Sequence, residues 1–164
     1  EDSIKPGTLN VPAIVGFGKA IELCDEEMTK DYQHTITLRD RFHKNIVSNL
    51  EGVFINGSIK ERLPNNINFY VVGIRADKLM LELRDLAFSN SSACASGSTK
   101  PSRILKAIGL TDEQALSSVR FGFGRFNTLD EIEYASKKII DAVNKLRALQ
   151  INKSNYINQK AEHL

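Results

Sequence analysis

Two short stretches of the chain concentrate side chains able to do chemistry. The first, Ser92-Ala93-Cys94-Ala95-Ser96-Gly97-Ser98, sets a thiol among small and polar residues. Cysteine ordinarily packs among apolar side chains, and nothing in this run can build a core. Ser89-Asn90-Ser91 before it and Thr99 after it extend the loop-like composition. A free thiol has a pKa of about 8.5, so little of it is thiolate at neutral pH. Lys100, Arg103 or the N-terminus of a helix opened by Pro101 would raise that fraction. A thiol on such a loop suits a nucleophile that collects an atom at one place and delivers it at another. The second stretch, Ser118-Val119-Arg120-Phe121-Gly122-Phe123-Gly124-Arg125-Phe126, carries two arginines. Surface salt bridging is the usual fate of arginine. Arg120, however, lies inside an apolar, strand-like run. A guanidinium there can meet a carboxylate through two parallel hydrogen bonds, a charge-assisted contact that contributes about 1.5–3 kcal/mol. The carboxylate of an amino acid is a suitable ligand. The residues alone leave the ligand and the salt bridge equally open.

Other candidates read more plainly. Cys24 falls at an apolar helical position, where a buried core or interface residue is expected. His34, His43 and His163 show no ligand spacing with either cysteine, so no metal site is expected. His43-Lys44 lies within an amphipathic pattern, Arg41-Phe42-His43-Lys44-Asn45-Ile46-Val47, and Lys44 is expected to be a solvated helix residue.

The elements that must position these residues are legible from spacing. Val11 to Leu50 reads as helix, with Ile14, Phe17, Ala20, Ile21 and Cys24, then Leu38, Phe42, Ile46 and Leu50, at helical intervals. Gly16 and Gly18 weaken its start by about 1 kcal/mol each relative to Ala, and a bend or break is expected near Thr29 to Tyr32. Val53 to Asn56 and Ile67 to Val72 are strand candidates separated by an Asn56-Gly57 turn and Pro64. Ala76 to Leu86 suits a helix, and Phe88-Ser89 the start of another strand. Pro101 opens a short helix to Ile108, closed by Gly109. Thr111-Asp112-Glu113-Gln114 and Thr128-Leu129-Asp130-Glu131 have the capping-box form. Val119 to Phe123 lies between them as a strand. The last helix carries Ile132, Ala135, Ile139, Val143 and Leu146 on one face, and its pattern fades from Ile151. The fold class is α+β: a small sheet of three or so strands flanked by helices, with a long N-terminal helix. There is no glycine-rich phosphate loop.

Length and composition agree. A chain of 164 residues suffices for one domain burying roughly two thirds of its unfolded surface. A net charge of +2, with both signs interspersed, argues against a nucleic-acid surface. No apolar run approaches the roughly 20 residues of a membrane span. The absence of a signal-like start and the presence of two cysteines point to a reducing, cytoplasmic setting.

The order of these motifs carries a family resemblance. "SSACASGSTKPSRILKAIGL" followed by "SSVRFGFGRFNTLDEIEYA" closely resembles the C-terminal part of the pyridoxal-phosphate-dependent cysteine desulfurases, the NifS/IscS-like members of the class V aminotransferases. "PGTLNVPAIVGFGKAIE" and "LPNNINFYV" extend the match from about Gly7 to Leu149. The resemblance implies the C-terminal domain of a fold type I pyridoxal-phosphate enzyme. It divides the chain into residues 1–20, a remnant of a larger domain and the start of a connecting helix; 21–150, a small domain; and 151–164, a tail that does not match the family end. The implied activity removes sulfur from L-cysteine, giving L-alanine and a persulfide on Cys94 for iron–sulfur cluster assembly through an acceptor scaffold protein. Arg120 would bind the substrate carboxylate. Thr8 would reach the cofactor phosphate of the neighbouring subunit in a homodimer. The Schiff-base lysine, the ring-stacking histidine and the aspartate facing the pyridine nitrogen belong to the family's preceding domain. This chain alone is therefore expected to hold no pyridoxal phosphate and to be inactive. The competing readings are a non-catalytic persulfide carrier or docking module, and a selenocysteine lyase-like relative.

Overall fold

The computed structural model describes residues 7–90 and 100–161, with side chains through residue 152. The first helix, α1, runs unbroken over Val11–Asn49. Asn10 caps it by accepting a hydrogen bond from the Ala13 amide, and Pro12 sits in its first turn, where a missing N–H costs nothing. The helix is not broken between Thr29 and Tyr32, although Thr29, Asp31 and Tyr32 are weak helix formers; no proline interrupts the run, and strong formers such as Glu26, Glu27, Met28 and Lys30 surround them. Two antiparallel strands follow, β1 (Val53–Ile55) and β2 (Asn66–Val71), paired Val53 to Val71 and Ile55 to Phe69. The turn after β1 uses Gly57 at φ +75°, a conformation that side chains with a Cβ disfavour.

The helix α2 covers Ala76–Glu82 and stops short of the expected Leu86, because the chain leaves helical geometry at Leu83. The short helices α3 (Arg103–Ala107) and α4 (Asp112–Leu116) come next. Both arms of the capping box at Thr111 and Gln114 are formed. Strand β3 (Ser118–Gly122) completes a three-stranded sheet of order β1-β2-β3, antiparallel throughout. The expected strand at Phe88-Ser89 is a single bridge, Ser89 to Arg120. The last helix, α5, covers Leu129–Ala161 and continues past Ile151, where the sequence pattern fades. Its second capping box is present as well: Glu131 N–H donates to Thr128 Oγ1 and Thr128 N–H to the Glu131 carboxylate.

The core lies on one face of the sheet. Alternate β2 residues Ile67, Phe69 and Val71 and β3 residues Val119 and Phe121 face Leu38, Phe42 and Ile46 of α1 and Ile132, Ile139 and Val143 of α5. Phe42 sits at the centre, with its ring 5.0 Å from Phe121 and 5.5 Å from Phe123. Cross-pairs fix the two long helices side by side in the same direction: Asn45 to Ser136 near one end and Arg147 to the Glu51 carbonyl near the other. The opposite face of the sheet is polar, with α4 docked beside it through Gln114 and Tyr70.

Burial divides α1. Thr35, Leu38, Arg39, Phe42 and Ile46 are buried. The apolar side chains before them are not: Val11, Ile14, Val15, Phe17, Ile21 and Met28 are all more than half exposed.

Candidate functional site

The polar face of the sheet gathers the residues with unspent chemistry. Strand alternation sends Val119 and Phe121 inward, so Ser118 and Arg120 turn to the other side. Arg120 is pinned by its backbone on both flanks. It pairs with Asn68 on β2, and its N–H donates to Ser89 O at 2.7 Å while its carbonyl accepts from Ser89 N–H at 3.1 Å. Its side chain is exposed, and no hydrogen bond or ion pair reaches its guanidinium among the described residues. A strand held between two neighbours thus presents a cation with its five donors uncommitted.

Arg125 behaves differently. It pairs with Asp31 of α1 at 2.5 Å, tying the turn after β3 to the first helix. The two arginines of one motif therefore divide: Arg125 is a tertiary clamp, whereas the Arg120 guanidinium has no partner among the described residues.

Beside Arg120 runs a chain of hydrogen bonds that the sequence reading did not single out. Asn56, buried at 4% exposure, donates from Nδ2 to Asn68 Oδ1 at 2.5 Å and to Ser118 Oγ at 2.9 Å. Ser118 Oγ donates in turn to the Gln114 carbonyl at 2.7 Å. Gln114 Nε2 donates to the Tyr70 hydroxyl at 3.1 Å. The available signal was Asn66 and Asn68 alternating with Ile67 and Phe69, two amides on the outward positions of a strand.

The remaining sequence candidates fall as follows. Cys94 lies outside the described residues. Asn90, the last described residue before it, directly follows the Ser89 bridge to Arg120. Thr8 is exposed, at the outer end of α1, and the fold does not bring it to Arg120. Cys24 is exposed, which corrects the core alternative and leaves the interface one. It lines an open cavity of about 500 Å³ with Met28, Tyr32, Leu63 and Phe123, because this part of α1 has no layer packed over it. Lys44 is exposed on α1, as its position predicts. Its neighbour His43 is half-buried, and burial lowers its pKa below the ordinary imidazole value.

A Schiff-base lysine must be desolvated to lose its charge. Every lysine with a described side chain is exposed except Lys138. Lys138 is held charged by its ion pair with Asp85 at 3.0 Å, which raises its pKa. The described residues therefore do not fit a pyridoxal phosphate site by themselves.

The family model for class V aminotransferases matches residues 2–135. A cysteine desulfurase IscS from Vibrio atlanticus is 47% identical over 147 residues, covering 90% of this chain and 36% of that protein. The corresponding protein of Pseudomonas aeruginosa is 46% identical over 149 residues, covering 91% of this chain and 37% of its own length. Among solved structures, the NifS-like protein from Rickettsia africae aligns with a TM-score of 0.74 at 26% identity, over 87% of this chain and 37% of that one. Another NifS-like protein aligns at 0.71 and 26% identity, over 85% of this chain and 35% of that one. The chain thus spans little more than a third of the length of these relatives. The match over most of its residues, in sequence and in fold, establishes that the chain belongs to the class V aminotransferase family.

Proposed function

We propose that this chain is the C-terminal small domain of a cysteine desulfurase, preceded by residues 1–20 of a larger domain and the connecting helix, and followed by a tail over residues 151–164. The whole enzyme converts L-cysteine and an enzyme thiol into L-alanine and an enzyme persulfide. One carbon–sulfur bond breaks, one sulfur–sulfur bond forms, and a proton moves to the product carbon, so no external oxidant or reductant is consumed. The observation that carries this reading is the open guanidinium of Arg120 on a strand pinned on both flanks. It supports Arg120 as the ligand of the substrate carboxylate.

Cys94 is the sulfur-accepting nucleophile in this reading. Chain length alone tethers it: from Ser89, hydrogen-bonded to Arg120, a fully extended backbone reaches Cys94 within about 18 Å. Thr8 serves the cofactor phosphate of the neighbouring subunit in a homodimer, which suits its place at the outer end of α1. Pyridoxal phosphate is the family's cofactor, and the residues that hold it belong to the protein beyond this chain. An iron–sulfur scaffold protein receives the sulfur, in the cytoplasm. Among the described residues, no helix is long and apolar enough to cross a membrane.

The test uses the full-length enzyme with L-cysteine as the sole sulfur source. Cys94→Ala is expected to abolish protein-bound persulfide while leaving the cofactor absorbance intact. Normal persulfide and alanine yields from this variant would overturn the assignment. Persulfide appearing on Cys94 only when a partner supplies sulfur, with no alanine formed, would instead establish a carrier.

A further inference from the structure

We propose that Asn68 is a second donor to the carboxylate that Arg120 binds, and that Asn56 and Ser118 hold its amide in the donating orientation. The inference rests on the reading of Arg120 given above. A single proton sets the orientation of the whole group. A serine hydroxyl has one hydrogen, and Ser118 gives it to the Gln114 carbonyl at 2.7 Å. Toward Asn56, Ser118 Oγ must therefore accept. That requirement turns the Asn56 NH2 group to it, at 2.9 Å. The second proton of the same NH2 group then meets Asn68, which must present its oxygen, at 2.5 Å.

Each amide is oriented by the one before it, and the chain ends with the Asn68 NH2 group left over. Among the described residues nothing accepts from that group, and it is not among the buried polar atoms lacking partners. Asn68 is the direct cross-strand partner of Arg120, on the same face of the sheet. Such partners have Cβ atoms about 4.5–5.5 Å apart. A carboxylate offers about four lone-pair sites. A guanidinium fork fills two of them, and an amide from the adjacent strand can fill a third. The anchoring is firm because Asn56 and Ser118 are 4% and 0% exposed, so neither can turn to water instead.

The experiment again uses the full-length enzyme with its cofactor. Asn68→Asp keeps the volume and the oxygen that Asn56 requires, but replaces the donor with a like charge toward the substrate. It is expected to raise KM for L-cysteine, and the inhibition constant of L-alanine, by about tenfold or more. Asn68→Ala is expected to act in the same direction and more weakly. Inhibition by cysteamine, which lacks the carboxylate, is expected to be unchanged or stronger in Asn68→Asp. Melting temperature and cofactor absorbance report whether each variant is folded and loaded. A KM within twofold of wild type in Asn68→Asp, or equal weakening of L-cysteine and cysteamine, overturns the proposal. Arg120→Lys is measured alongside. If it leaves KM unchanged, the reading of Arg120 itself fails; if it raises KM while Asn68→Asp does not, only the role of Asn68 fails.

Discussion

His43 carries its imidazole half-buried on α1, where loss of solvent makes the charged form costly. Asp40 opposes that effect by raising the pKa, while Arg39 and Arg62 reinforce the lowering. The unfolded chain therefore binds a proton on His43 more readily than the folded one. Stability rises with pH wherever the unfolded state holds more protons. The contribution is fully present above the unfolded imidazole pKa of about 6.5 and is lost as pH falls through the lower folded value. Urea midpoints are expected to fall between neutral and mildly acidic pH, and His43→Gln is expected to flatten that part of the profile. An unchanged slope in the variant would assign the acid sensitivity to the carboxylates instead. The same scale shows what single residues disclose in sequence. Arg120 announced itself as a charge inside an apolar run. Cys24 shows the limit of such signals: helical spacing marks the face of a helix but does not separate a core residue from one that waits for an interface.

At the scale of elements, capping residues were the most faithful signals. Thr111 and Thr128 both close the boxes that their spacing implies. Helix α4 is short, so its start matters more than its propensity. Thr111→Ala removes the acceptor for the Gln114 amide and is expected to cost about 1 kcal/mol in chemical denaturation. Thr111→Ser is expected to restore most of it. Strand positions were also legible, since β2 alternates cleanly between core and polar face. What alternation could not reveal is that Asn56, from outside β1, reaches over Asn68 to Ser118. That contact joins three segments distant in sequence, and side-chain periodicity carries no information across them. The fading apolar pattern beyond Ile151 likewise hid the continuation of α5 to Ala161.

For the whole molecule, the apolar spacing along α1 has two meanings. Leu38, Phe42 and Ile46 meet the sheet and α5, whereas Ile14, Phe17 and Ile21 are more than half exposed and lie outside the core formed by the described residues. The proposed larger domain supplies a cover for the second group. Phe17 is 68% exposed here, so Phe17→Ser in this chain alone is expected to change stability by less than about 0.5 kcal/mol. In the full-length protein the same substitution is expected to cost about 1.5–3 kcal/mol in denaturant titrations, the value of a buried aromatic side chain. Equal, small effects in both would show that this face stays uncovered.

The partly anchored helix also has a mechanical consequence. From Val11 to Lys30 α1 extends about 30 Å at ~1.5 Å per residue, and from Asp31 onward it is held, by Arg125 at Asp31, by the Asn127 carbonyl at His34, and by the sheet and α5 beyond. It is a lever held at the turn from Asp31 to Thr35, where the Thr35 hydroxyl donates to the Asp31 carbonyl, a contact that tends to bend helices. A rotation of about 5° at that point carries the Val11 end through about 3 Å, given the helical rise. A tilt of a few degrees at that turn thus corresponds to a displacement of hydrogen-bond size at the far end of the helix.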